Sequence, residues 1–132
     1  MSKLLSAALT KDLAGIVMPE GAAEPRKELW EILVPTMSRT DKPFRTRHHK
    51  AWDAKVERIS GGLTVLTPGK GTWVNDDATH RERMIPVRIM CTGAQIEKII
   101  EITLDHYDQL AVMAYKVSSE IILRYRAPKG KK

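Results

Sequence analysis

Residues 83 to 117 read RMIPVRIMCTGAQIEKIIEITLDHYDQLAVMAYKV, and this stretch decides the fold. Its first part alternates, with Ile85, Val87 and Ile89 on one side, the period of a strand buried on one face. Pro86 cannot donate to a ladder, which predicts an edge or a bulge there. Thr92, followed three residues later by Gln95, is a capping-box signature. Beyond it Ile96, Ile99, Ile100, Thr103 and Tyr107 recur at helical spacing, predicting an amphipathic helix. Ala111 to Val117 then returns to an extended pattern, so strand, helix and strand follow one another with short connections.

The same order appears upstream. Leu29 to Val34 alternates, with Trp30, Ile32 and Val34 on one side and Glu31 opposite, before Pro35 ends the ladder. After a polar segment containing Pro43, Thr46 to Ser60 carries Trp52, Val56 and Ile59 at helical spacing, and Gly61-Gly62 stops the helix. Leu63 to Leu66 is rich in strand formers, Pro68-Gly69-Lys70-Gly71 predicts a turn and Thr72-Trp73-Val74 a short strand, the three together a bent strand or hairpin, and Asn75 to Arg81 reads as a loop. The expected fold is therefore α+β, a ferredoxin-like β-α-β-β-α-β sandwich with both helices on one face of an antiparallel sheet.

This domain is expected over residues 28–126. Leu4, Leu5, Ala8, Leu9 and Leu13 predict an extra N-terminal helix within 1–27, followed by a loose connection interrupted by Gly15, Pro19, Gly21 and Pro25. Glu120 to Tyr125 reads as a further strand or an extension able to pair at a sheet edge, and residues 127–132 as a basic tail. Met84, Met90, Met113 and Tyr115 would occupy the sheet face without helices, which predicts a homo-oligomer.

A chain of 132 residues has room for one domain with a real core. Hydrophobic residues at 42% and charged residues at 29% are ordinary for a soluble globular protein, which argues against wholesale disorder and against a membrane protein. No run approaches the roughly 20 apolar residues of a membrane span, and the first residues lack signal-peptide order. The lone Cys91 cannot form an internal disulfide and reads as a small buried hydrophobe. Together these predict a cytoplasmic location. The net charge of +6 favours an anionic partner over a cationic one. Its excess lies in Arg39 to Lys55 and in Arg124, Arg126, Lys129, Lys131 and Lys132, the latter read as a solvated end.

Candidate chemistry is sparse. One cysteine and four histidines offer no ligand pair at zinc-site spacing, so neither a metal nor a cofactor is expected. Gly69-Lys70-Gly71 is too short for a phosphate loop and leads into a strand where such a loop needs a helix, though a turn with Lys70 at its tip could hold a phosphate or carboxylate. Arg45, Arg47, His48, His49 and Lys50 open the first helix, where free backbone N–H groups also favour an anion; the alternative is a solvated face. Aromatic content is 5% and no RNA-recognition motif is present, so nucleic acid would bind through charge alone. Trp73 and Glu82, with Tyr107, Gln109, Tyr115 and Lys116 around the last strand, form the remaining constellation. A carboxylate beside an aromatic face suits a cationic small molecule, although singly Trp73 is more often a packing residue and Glu82 an exposed charge.

The order of residues resembles the phage-encoded S-adenosylmethionine lyases. The likeness runs from Ile32-Leu33-Val34 through Arg47-His48 and Gly62-Leu63 to Val87-Arg88-Ile89-Met90-Cys91, and ends with Tyr107-Asp108-Gln109, Val112 and Tyr115-Lys116-Val117-Ser118. It spans roughly the middle two-thirds of the chain. The resemblance implies a trimer with its ligand where two subunits meet, in the host cytoplasm if phage-encoded. It also implies cleavage of S-adenosylmethionine to methylthioadenosine and homoserine lactone. Glu82 is the nearest counterpart of the family's functional glutamate, and the family's hairpin tyrosine falls at Trp73, which keeps an aromatic face and lacks the hydroxyl. These two are the catalytic candidates; Arg47, His48, Lys70, Arg88, Tyr115 and Lys116 are the ligand-binding ones. Two other readings stand beside it. A noncatalytic relative would bind a nucleotide-like anion and sequester a signalling molecule, with Lys70, Arg47 and Lys50 converging. A nucleic-acid-associated or structural oligomer would present a continuous basic strip.

Overall fold

The computed structural model describes residues 9–11, 17–19, 25–76 and 78–128. Strand β3 (Glu28–Pro35) is central, pairing antiparallel with β6 (Ala78–Cys91) on one side and with β7 (Ala114–Ser118) on the other. The far side of β6 carries β4 (Thr64–Val65) and β5 (Gly69–Asn75) in succession. Helices α1 (Thr46–Ser60) and α2 (Gly93–His106) complete the β-α-β-β-α-β order. The fold is thus the ferredoxin-like sandwich expected, with a five-stranded antiparallel sheet.

Alternation along the strands sorts the two faces. Ile32 and Val34 from β3 and Val87, Ile89 and Cys91 from β6 are buried with Trp52 and Val56 of α1 and Ile96 and Ile99 of α2. Burial drives the Cys91 thiol up to about 11, only partly offset by the charge of Lys27, so it packs as an apolar group and does not ionise near neutrality. Across the helix pair, the Trp52 indole N–H donates to Thr103 Oγ1 at 2.9 Å, and that hydroxyl donates to the Ile99 carbonyl at 2.6 Å. Every polar atom of this buried contact is therefore satisfied.

The helix ends follow local chemistry. Thr92 Oγ1 accepts from the Gln95 backbone N–H at 3.1 Å while Gln95 Oε1 accepts from the Thr92 N–H at 2.9 Å, the reciprocal capping box expected. Helix α1 ends at Gly61, whose φ of 90° is a left-handed conformation open to glycine without a Cβ penalty.

Four expectations are corrected. Leu9–Lys11 (β1) and Val17–Pro19 (β2) pair as a short antiparallel ladder, where the N-terminal leucine spacing predicted a helix; Leu4, Leu5, Ala8 and Leu13 lie outside the described residues. A run this short is a marginal helix in water, and Val17 is a strand former. Gly69-Lys70-Gly71 is the start of β5 and not a turn: β4 and β5 run the same way along β6, Val65 opposite Val87 and Gly69 opposite Met84, with Leu66 to Pro68 an irregular break between them. The loop over 75–81 shrinks to a tight reversal in which Asp76 takes φ 45°, so β6 runs back to Ala78 and the β5–β6 hairpin is long. Asx residues tolerate this conformation, which polarity alone did not reveal. Residues 120–125 form no strand. The Ser118 hydroxyl accepts from the Glu120 N–H and donates to the Glu120 carbonyl, capturing backbone groups that would have extended β7.

Candidate functional site

The sheet face without helices carries Leu33, Met84, Pro86 and Met90 around a polar network. Glu31, a charge in the middle of the central strand, is only 8% exposed. It stands opposite Arg88 on β6 and Tyr115 on β7 in the strand register. Arg88 Nε donates to Glu31 Oε1 at 2.9 Å, and the Tyr115 hydroxyl donates to Glu31 Oε2. Burial acts on Glu31 to raise its pKa, but the two hydrogen bonds and the guanidinium charge outweigh it and hold the carboxyl below its ordinary value. The hydrogen bond to that carboxylate, more than burial, raises the Tyr115 phenol. The network is thus an ionised carboxylate with a neutral phenol and a guanidinium fixed upon it.

Farther along the same face, Trp73 Nε1 donates to Glu82 Oε2 at 3.2 Å across the β5–β6 hairpin. The indole lies over Gly71, where a side chain would meet Met84 and the indole nitrogen. Both catalytic candidates therefore share one face of one hairpin. Glu82 also borders an open groove of about 240 Å³ with Pro35, Ser38, Asp41, Arg83 and Met84.

The ligand-binding candidates divide. Arg88 and Tyr115 meet on Glu31, as above. Lys116 alternates to the helix side, 3.0 Å from Glu28 and over the Trp30 ring at 5.4 Å. Lys70 faces Arg83 across the hairpin. Arg47 and His48 border a separate shallow groove with Pro43, Phe44, Arg45 and Ala51, whose lining does not include Lys70. His48 is also engaged structurally, its Nε2 donating to the His106 carbonyl. Helix α1 has no side-chain cap, Arg45 occupying that position. Among the described residues, no three His, Cys, Asp or Glu side chains converge as a metal site, and no helix is long and apolar enough to cross a membrane.

Glu31 was not singled out by sequence. Its signal was present as the one acid within the apolar run Leu29 to Val34, but the register that gives it Arg88 and Tyr115 is a tertiary property.

No protein-family model and no curated protein sequence matches the chain. Solved structures do match in fold. The CutA1 protein of the psychrotrophic bacterium Shewanella sp. SIB1 has a TM-score of 0.56 at 10% identity, over 78% of this chain and 88% of that one. The periplasmic divalent cation tolerance protein CutA of Archaeoglobus fulgidus also has a TM-score of 0.56, at 6% identity over 74% and 88%. A phage S-adenosylmethionine lyase in complex with S-methyl-5'-thioadenosine has 0.55, at 7% identity over 74% and 85%. At these identities the similarity shows a shared ferredoxin-like fold.

Proposed function

We propose that the chain is a subunit of a homo-oligomeric S-adenosylmethionine lyase whose ligand sits against Trp73 and Glu82. The observation that carries this reading is the 3.2 Å contact between those two side chains on the uncovered sheet face. The fold shared with a phage enzyme of that activity agrees with it.

The chemistry asks little of the protein. One oxygen of the substrate's own carboxylate attacks the γ-carbon, the carbon–sulfur bond breaks, and its electron pair passes to sulfur. Neutral methylthioadenosine and homoserine lactone result, with no proton transferred. Catalysis then rests on holding a near-attack conformation in a suitable field. The sulfonium charge vanishes during the step, so a full carboxylate on it would favour substrate over transition state. The weaker quadrupole of the Trp73 ring is better suited to that centre. Glu82 is suited to the α-ammonium, which stays charged throughout. The location consistent with this reading is the cytoplasm.

A second reading is favoured by one feature. The only polar hydrogen of the Trp73 ring is committed to Glu82, where the lyases have a phenol; a noncatalytic relative would bind the same ligand without cleaving it. Incubation with S-adenosylmethionine followed by chromatography separates the two. Equal amounts of methylthioadenosine and homoserine lactone are expected. Intact S-adenosylmethionine retained by the protein selects the binding reading, and neither product nor retention removes both.

A further inference from the structure

Arg88 spends one donor on Glu31. Its Nε is bound there, while its side chain keeps 44% of its exposure and its two terminal nitrogens have no partner among the described residues. Those remaining N–H groups form an end-on fork of charged donors able to grip a single carboxylate oxygen. The fork is firmly mounted, because its anchor is a carboxylate with 10% side-chain exposure that Tyr115 also holds. Along the edge segment that carries Tyr115, Met113, Tyr115 and Val117 are exposed by 46, 39 and 43%, an apolar surface suited to being covered. Once covered, the free donors of Arg88 would need acceptors, since unsatisfied buried donors are costly.

Glu82 and Arg88 lie on the same face of β6 but six residues apart, about 20 Å along a strand. The ammonium and carboxylate of an α-amino acid are attached to one carbon, only a few ångströms apart. One ligand cannot reach both residues of the same chain.

We infer that Arg88, held by Glu31 and Tyr115, is a carboxylate subsite that completes the Trp73–Glu82 site of a second copy of this chain. The inference rests on the lyase reading for its ligand. Such a contact joins two different patches, hairpin to sheet centre, and is heterologous, closing into a ring when its rotation permits. Within it Arg88 binds one carboxylate oxygen and leaves the other to attack. Because that charge is lost on lactone formation, the guanidinium favours bound substrate, and its removal falls on KM more than on kcat. Glu31 is a positioning residue.

The test uses S-adenosylmethionine and methylthioadenosine, which lacks the amino-acid end, with wild-type protein, R88Q, R88K and E31Q, each checked for oligomer mass. Wild type should prefer the amino-acid-bearing ligand by at least tenfold. R88Q and E31Q should lose that preference while binding methylthioadenosine unchanged, with R88K between. Co-expressed R88Q and E82Q chains should regain activity that neither has alone at subsaturating substrate. An unchanged preference in correctly assembled R88Q overturns the subsite, and absence of complementation overturns its placement on a second copy. If wild type binds neither ligand, the lyase reading itself fails and the subsite falls with it.

Discussion

His48 and His106 hold each other's backbone: each ring Nε2–H donates to the other residue's carbonyl at 2.8 Å, joining the first turn of α1 to the last turn of α2. Lys55 donates to His106 Nδ1 at 3.1 Å, so that ring is neutral in this arrangement. Beside it, His49 Nδ1 pairs with the buried Tyr107 hydroxyl at 2.7 Å.

This clasp should be acid-sensitive. Burial lowers the pKa of His106, aided by the charges of His48 and Lys55 and opposed by its bond to the His48 backbone and by Asp105. Burial and His48 likewise lower His49, against the pull of Asp53. The folded values lie below the ordinary 6.5, so the unfolded chain takes up protons first. Stability is complete above about pH 6.5 and declines as pH falls below it. The urea midpoint should be lower at pH 5.5 than at pH 8, and K55M should reduce the difference. Equal midpoints for the wild type would contradict this account.

Thr103→Val keeps the shape of the helix interface but leaves the Trp52 indole N–H buried without an acceptor. The expected loss is about 1–3 kcal/mol by urea unfolding. Thr103→Ser, which restores an acceptor, should recover part of it.

Thr92→Ala removes one half of the α2 capping box. A loss of about 1 kcal/mol is expected, with the sheet intact by circular dichroism. Because the cap follows the end of β6 far from the hairpin that carries Trp73 and Glu82, methylthioadenosine affinity should not change.

Much of the fold was legible because its signals are local. The Thr92–Gln95 box, the isoleucine stripe of α2 and the Gly61 stop each act within a few residues. The failures came where a side chain recruited backbone or where a turn needed only one tolerant residue. Ser118 diverts 120–125 from pairing, and Asp76 closes the hairpin more tightly than its polar surroundings suggested. Of the site, residue type and the resemblance group Trp73 with Glu82, while the long β5–β6 hairpin that pairs them replaces the loop expected over 75–81. The separation of Arg47 from Lys70 and the roles of Glu31, His48 and Lys116 depend on register and on helix packing, which no local pattern encodes.

The central claim is that Glu82, beside Trp73, holds the substrate for its own carboxylate to attack. The most direct test is the rate of methylthioadenosine formation from S-adenosylmethionine by the wild type and by Glu82→Gln at matched oligomer mass. Loss of a charge that orients the reacting group should slow the variant by about 100-fold or more. A variant that forms product at the wild-type rate would contradict the account.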